Sequence, residues 1–299
     1  MMNFGLKKIL FKRDENGSID SIWYENWISL RKNRSAMFGL YMILFFILVA
    51  IFAPLIAPYD PLAQNIDFRK LAPFSNGYIL GTDDFGRDLL SRIIYGARIS
   101  IVIGFFSVAI SLIFGSIIGL LSGFYGGWFD RFAMGVIDIM LAFPYILLTI
   151  VIVALLGPTL LNAMIAIGIA RLPQYARVMR SSVLAEKSSE YVEAERSLGV
   201  SDSELIFMSI LPNCLAPIIV QATLGIGGAI IESAALSFLG LGAQPPTPEW
   251  GLMIASSREF ISNAWWIVTF PGIAILLAVL GFNLLGDGIR DVLDPRLKD

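Results

Sequence analysis

The 299-residue chain contains no histidine and a single cysteine, Cys214. A His-dependent catalytic triad or His metal site is therefore excluded, and one cysteine makes neither an internal disulfide nor a zinc cluster. Cys214 stands beside Pro212 at an expected helix start and reads as a small packing residue. No GxxxxGK[ST] phosphate loop occurs, so nucleotide chemistry is not expected within this chain. The remaining chemistry-bearing groups are carboxylates in two settings. Asp138 and Glu232 lie inside long apolar runs, where an ionised group is costly unless it faces water, a partner chain or a counter-charge. Each is a candidate for lining a pathway through a membrane. The competing reading is structural, with Asp138 or Glu232 pairing with Arg131, Arg177 or backbone donors to pin a bundle. The small neighbours of Glu232, namely Gly227, Gly228, Ser233 and Ala234, tilt it toward a cavity. The second setting is the polar stretch SSEYVEAERSLGVSDSELIFMSILPN at 188–213.

The elements that position these groups follow from hydropathy. The chain is 56% hydrophobic and only 15% charged, whereas soluble domains run about 45–50% apolar and about 25% charged. Its mean hydropathy is +0.73. The apolar residues fall in blocks: 36–56 carries no charge, and about 20 such residues in a helix cross the ~30 Å hydrocarbon layer. Six spans are expected near 36–56, 99–122, 132–156, 159–181, 216–240 and 264–286. The fourth is interrupted by Arg171, Pro173, Arg177 and Arg180, so it either crosses as a long helix protruding into water or re-enters. No apolar run of the kind a cleaved signal needs occurs in the first thirty residues, so the first span is expected to persist as an anchor. A net charge of -2 and no basic stripe give no case for nucleic acid.

Orientation follows from lysines and arginines flanking the spans, which mark the cytoplasmic side. Lys7, Lys8, Lys12, Arg13, Arg31, Lys32 and Arg34 precede the first span, and Arg290, Arg296 and Lys298 follow the last. Both ends are expected inside, which places 183–212 in the cytoplasm. The chain then divides into a cytoplasmic tail (1–35), an anchor helix (36–57), an extracytoplasmic loop (58–97), a five-helix core (98–287) and a second cytoplasmic tail (288–299). In the loop, Thr82 is a plausible N-cap, and Leu89, Leu90, Ile93 and Ile94 oppose Arg87 and Arg92 in an expected interfacial helix, either a surface support or a shelf for an outside partner. Ser107, Ser111, Gly115, Gly119 and Gly123 recur every four residues in the second span, as a close helix–helix seam requires. Trp250, Trp265 and Trp266 suit the membrane interface.

Within 188–213 the pattern predicts two short helices. Tyr191, Ala194, Glu195 and Leu198 share one face at i, i+3, i+4 and i+7. Gly199 supplies a left-handed closing residue, Ser201 with Glu204 forms a capping box, and Leu211-Pro212 is expected to end the unit before the fifth span.

Here the chain resembles the permeases of ABC importers. Their cytoplasmic loop carries Glu-Ala-Ala, three residues, Gly, nine residues and Ile-x-Leu-Pro, and Glu193, Ala194, Gly199, Leu211 and Pro212 fall at that spacing. Glu195 stands in place of the second Ala, and Ser209 in place of the Ile. The stretches at 81–101, 138–144, 235–251 and 283–297 are similar to the C-type permease subunit of dipeptide and oligopeptide importers. This resemblance spans most of the chain from about residue 30. It implies a type I importer fold, an all-α membrane protein of six helices with both termini cytoplasmic, in a bacterial or archaeal inner membrane. It further implies a heterodimer with a homologous permease chain, two cytoplasmic ATPase subunits that bind ATP and Mg, and an extracytoplasmic peptide-binding protein. The chain itself would be non-catalytic, with no cofactor of its own. Tyr191, Glu193, Ala194, Leu198, Gly199, Leu211 and Pro212 would form the ATPase-coupling loop. Nickel, opine or glutathione permeases share these signatures, and an ion-driven secondary transporter is the rival from another class.

Overall fold

The computed structural model describes residues 11–13 and 19–293. Lys7, Lys8, Arg296 and Lys298, used for orientation, lie outside the described residues. A short antiparallel pair, β1 (Phe11–Arg13) with β2 (Ile19–Ser21), leads into α1 (Ile22–Lys32). All described residues after it are helical or loop. Four helices are long and apolar enough to cross a membrane: α2 (Arg34–Ile51), α3 (Leu89–Tyr125), α8 (Asp202–Phe238) and α10 (Trp266–Leu293). Between them run α4 (Gly127–Ala142), α5 (Tyr145–Leu156), α6 (Leu160–Lys187), α7 (Glu190–Ser197) and, after α8, α9 (Trp250–Ser257).

Three expectations are corrected. The window 132–156 is not one straight span, because α4 and α5 meet at 98°. Pro144 forces Phe143 into extended backbone (ψ 139°), which stops α4 and starts α5 at a new angle. No separate interfacial helix precedes the second span either. Asp88, rather than Thr82, caps α3 by accepting from the Ser91 N–H at 2.8 Å, and the helix runs 37 residues without a break. At about 1.5 Å per residue it is ~56 Å long, well beyond the hydrocarbon thickness. The Thr82 hydroxyl instead ties loop strands together, donating to the Phe68 carbonyl and accepting from Leu71 N–H at 2.9 Å. Finally, Leu211-Pro212 does not end a helix. The turn starting at Asp202 continues through a π-wound segment, Leu205–Ile210, into Leu211–Phe238, so Pro212 lies inside one rod. The π turn, closed by the Leu211 N–H on the Ile206 carbonyl, directly precedes Pro212, which has no N–H to continue the ladder.

The small-residue seam in α3 faces α6. A Cβ on Gly115 would lie 2.8 Å from the Leu172 carbonyl oxygen, so only glycine allows this approach. Ser111 Oγ donates to the Gly168 carbonyl at 2.7 Å across the same seam. α6 itself passes through Pro173 as a single 28-residue helix, long enough to cross but carrying Arg171, Arg177 and Arg180.

Both described termini share one end of the bundle. Asn33 Nδ2 donates to Asp291 at 3.3 Å, joining the start of α2 to the end of α10. Lys187, at the end of α6, donates to the Phe124 carbonyl near the end of α3. α7 lies at this end as well. The opposite end is a packed cap centred on Trp250, which is fully buried and donates to the Ile93 carbonyl at 3.0 Å. Trp250 and Trp266 are thus core residues rather than interface rings, while Trp265 is half exposed.

Candidate functional site: a seated short helix and three ion pairs

The α7 helix buries one side chain. Val192 (1% exposed) inserts among Leu120, Phe124, Met179, Val183, Leu205, Ile206 and Ile210. This leaves Glu193, Ala194 and Leu198 exposed, with Leu198 at 84%. Gly199 adopts φ +83°, a backbone region that favours glycine, and the Val200 N–H donates back to the Glu195 carbonyl at 3.2 Å. The capping box is present: Glu204 N–H reaches Ser201 Oγ at 3.4 Å and Ser201 N–H reaches Glu204 Oε2 at 3.3 Å. α7, its turn and the foot of α8 therefore form a compact unit with a mixed apolar and acidic outer face, including Phe207. Partial burial, together with the adjacent Glu186 carboxylate, pushes the Tyr191 phenol up to about 12, and its hydroxyl donates to Glu186. Leu211 and Pro212 stand in the foot of α8, half-buried.

The two apolar-run carboxylates are both paired. Glu232 is buried and meets Arg171 through Nε–Oε1 at 2.9 Å, Nε–Oε2 at 3.0 Å and Nη2–Oε1 at 2.5 Å. Arg171 also donates to the Gly225 carbonyl at 3.3 Å, and Gly228 leaves the room its guanidinium occupies. Of the partners the sequence offered for Asp138, it takes Arg177, at 2.7 Å, with both side chains more than half exposed. A third pair was missed: Asp130 accepts from Arg180 Nε and Nη2, each at 2.6 Å. No local pattern points to it, because fifty residues separate the partners. Asp130, Met134 and Asp138 recur every four residues along α4 and face Arg177, Val178, Arg180 and Ser181 of α6. The open cavity between Met134, Asp138 and these α6 residues is about 550 Å³. An ion pair that is open on the face of an otherwise apolar helix requires water or another chain against it.

At the capped end, Asp83 accepts from the Arg87 and Phe85 N–H groups and from Arg87 Nε at 2.6 Å, with Arg92 Nε at 3.4 Å. Arg92 donates to the Pro61 carbonyl at 3.0 Å. Glu249 caps α9, accepting from Gly251 and Leu252 N–H at 2.9 and 2.7 Å and from Ser237 Oγ at 2.9 Å. Burial pushes its carboxyl above the usual range. The 81–101 and 235–251 stretches thus supply a buried polar frame that locks this cap.

The sequence profile of the family described as "binding-protein-dependent transport system inner membrane component" matches residues 112–299, and that of the "N-terminal TM domain of oligopeptide transport permease C" matches residues 21–73. The dipeptide transport system permease protein DppC of Alkalihalophilus pseudofirmus is 53% identical over 278 residues, covering 93% of this chain and 91% of that protein. The di/tripeptide transport system permease protein DppC of Pseudomonas aeruginosa is 52% identical over 280 residues, 92% of each. The glutathione transport system permease protein GsiD of Pectobacterium atrosepticum is 44% identical over 285 residues, 94% of this chain and 93% of that protein. Among solved structures, a chain of the MetNI methionine ABC transporter in inward-facing conformations superposes with a TM-score of 0.57 at 18% identity, covering 69% of this chain and 98% of that one. At that identity the likeness concerns the fold alone.

Proposed function

The chain belongs to the family of inner membrane components of binding-protein-dependent transport systems, and from that premise we propose that it is the permease subunit of an ABC importer carrying dipeptides or short oligopeptides into the cell. The observation that carries the reading is the seating of α7. It is a compact knuckle with an exposed outer face, at the end of the bundle where Asn33 meets Asp291, and it is built from the residues that match the importer loop pattern. The peptide assignment draws on the 53% and 52% identities to dipeptide and di/tripeptide permeases, against 44% to a glutathione permease.

In this reading the α7 end is cytoplasmic and α6 is a full crossing. With the α4–α5 pair as one broken span, the chain makes six crossings of a bacterial or archaeal inner membrane, with both termini inside. A homologous permease chain pairs with it, peptide passes between the two, and a binding protein outside delivers the peptide. Two ATPase subunits inside bind ATP and Mg and carry out hydrolysis, while this chain is non-catalytic. One ATPase receives the face formed by Tyr191, Glu193, Ala194, Leu198 and Gly199. Because α8 is continuous from Asp202 to Phe238, force applied at α7 reaches the level of Glu232 along a single rod. Asp138 and Glu232 remain the candidates for the translocation path. Asp138, with Arg177, faces the open cavity, and Glu232, with Arg171, joins α6 to α8 as a buried pair.

Reconstitution tests the assignment. Proteoliposomes holding this chain, its partner permease, the ATPases and the binding protein should accumulate labelled dipeptide only with ATP. Uptake by this chain alone under an ion gradient would overturn it, and competition by glutathione but not by dipeptides would move the substrate to the second class.

A further inference from the structure

The two positions at which the chain departs from the importer loop pattern meet each other. Ser209 Oγ donates to Glu195 Oε2 at 2.6 Å. Where the pattern places Ala and Ile, an apolar contact would join α7 to the foot of the next span. Here a hydrogen bond to a carboxylate joins the same two elements, with Ser209 buried and Glu195 half-buried. Neighbouring groups extend the contact. Asn213 Nδ2 donates to the Ser209 carbonyl at 2.8 Å and to Tyr191 Oη at 3.0 Å, and the Tyr191 hydroxyl also reaches Glu186 at the end of α6. Three elements, α6, α7 and α8, are thereby fastened around one point. That point lies within the π-wound segment Leu205–Ile210, the least regularly bonded part of the α8 rod.

We propose that Glu195 and Ser209 form a positioning clasp that holds α7 in fixed register on the π-wound foot of α8, so that displacement of α7 moves the whole rod. Glu195 and Ser209 stand at the two positions where the importer loop pattern has Ala and Ile. What displaces α7 rests on the importer reading above; the clasp itself rests on the geometry alone.

The pairing makes a specific demand on substitutions. Glu195→Ala leaves the Ser209 hydroxyl buried without its acceptor, and Ser209→Ile drives a branched chain against a carboxylate. Glu195→Ala with Ser209→Ile restores an apolar contact on both sides. In proteoliposomes containing the complete complex, each single change should lower the peptide moved per ATP hydrolysed by about tenfold, the equivalent of about 1.4 kcal/mol. The double change should return it to within about twofold of the unaltered complex, and Glu195→Gln, which keeps an acceptor, should stay within about threefold. Single variants with an unaltered ratio, or a double variant showing the product of the two losses, would overturn the clasp. Thermal unfolding of the unaltered protein, the two single variants and the double variant decides it independently of transport. The single changes should lower the midpoint by roughly 2–4 °C and the pair should restore it, whereas additive lowering counts against the clasp. An unaltered complex with no ATP-driven uptake would instead remove the importer reading, and the unfolding cycle would still decide the clasp.

Discussion

Replacing Glu232 by alanine takes the counter-charge from an arginine that has little else to turn to. Arg171 would keep only the Gly225 carbonyl, at 3.3 Å, for a guanidinium that is 12% exposed. At a separation of 2.9 Å and an effective dielectric near 20, the lost attraction is ~6 kcal/mol before desolvation is counted. Desolvation of the intact pair offsets part of that gain, and breaking a buried pair from one side costs about 3–5 kcal/mol. Each 1.4 kcal/mol is a factor of ten, so the folding equilibrium should fall by roughly two to four orders of magnitude. Glu232→Leu combined with Arg171→Leu removes both charges and should recover most of this loss. The assay is denaturant unfolding in mixed micelles, followed by fluorescence of the buried Trp250 and Trp266. The reasoning is refuted if Glu232→Ala unfolds within ~0.5 kcal/mol of the unaltered protein, or if the double change is no better than the single. Stability unchanged with transport abolished would assign Glu232 to contact with the passing substrate rather than to holding α8 on α6.

Other consequences follow from the same geometry. Gly199→Pro cannot hold φ +83°, because proline fixes φ near about −65°, and it should cut transport-linked ATPase activity at least tenfold while the protein still inserts; uptake assays with membrane fractionation check both parts. Glu193→Lys reverses the charge on the exposed face of α7 and should uncouple hydrolysis from uptake with no change in unfolding midpoint. Gly115→Leu should push α3 from α6 and destabilise the bundle by about 1–3 kcal/mol or more, seen as lost yield and a lower midpoint. Glu249→Ala removes a buried N-cap with three donors and should destabilise the capped end by about 2 kcal/mol, read as faster local hydrogen exchange in α9.

The parts of this fold legible in sequence are those governed by local rules. Gly199, the Ser201–Glu204 box and the four-residue spacing from Ser107 to Gly123 each act within one or two helical turns, and each appears where its pattern places it. The α4–α5 bend carried a signal, Pro144, that the long apolar window obscured, since hydropathy averages over the residue that breaks the helix. Thr82 and Asp88 both qualify as N-caps by residue type. The Phe68 carbonyl and the Leu71 N–H engage Thr82, a tertiary fact that leaves the cap to Asp88. Asp130–Arg180 and Glu195–Ser209 join residues fifty and fourteen positions apart, so their meeting depends on how helices pack. Trp250 reads as an interface residue by type, yet it is enclosed because α9 folds back under Glu249 against α3.

In the importer reading α7 lies inside the cell, where an ATPase subunit covers it. Labelling with a membrane-impermeant thiol reagent tests this directly, with Leu198→Cys as the reporter because Leu198 is 84% exposed whereas the native Cys214 is buried. Leu198→Cys should not react in intact cells, should react in inside-out vesicles stripped of the ATPases, and should be protected when the ATPases are restored. Labelling in intact cells would put α7 on the outer face and contradict that reading.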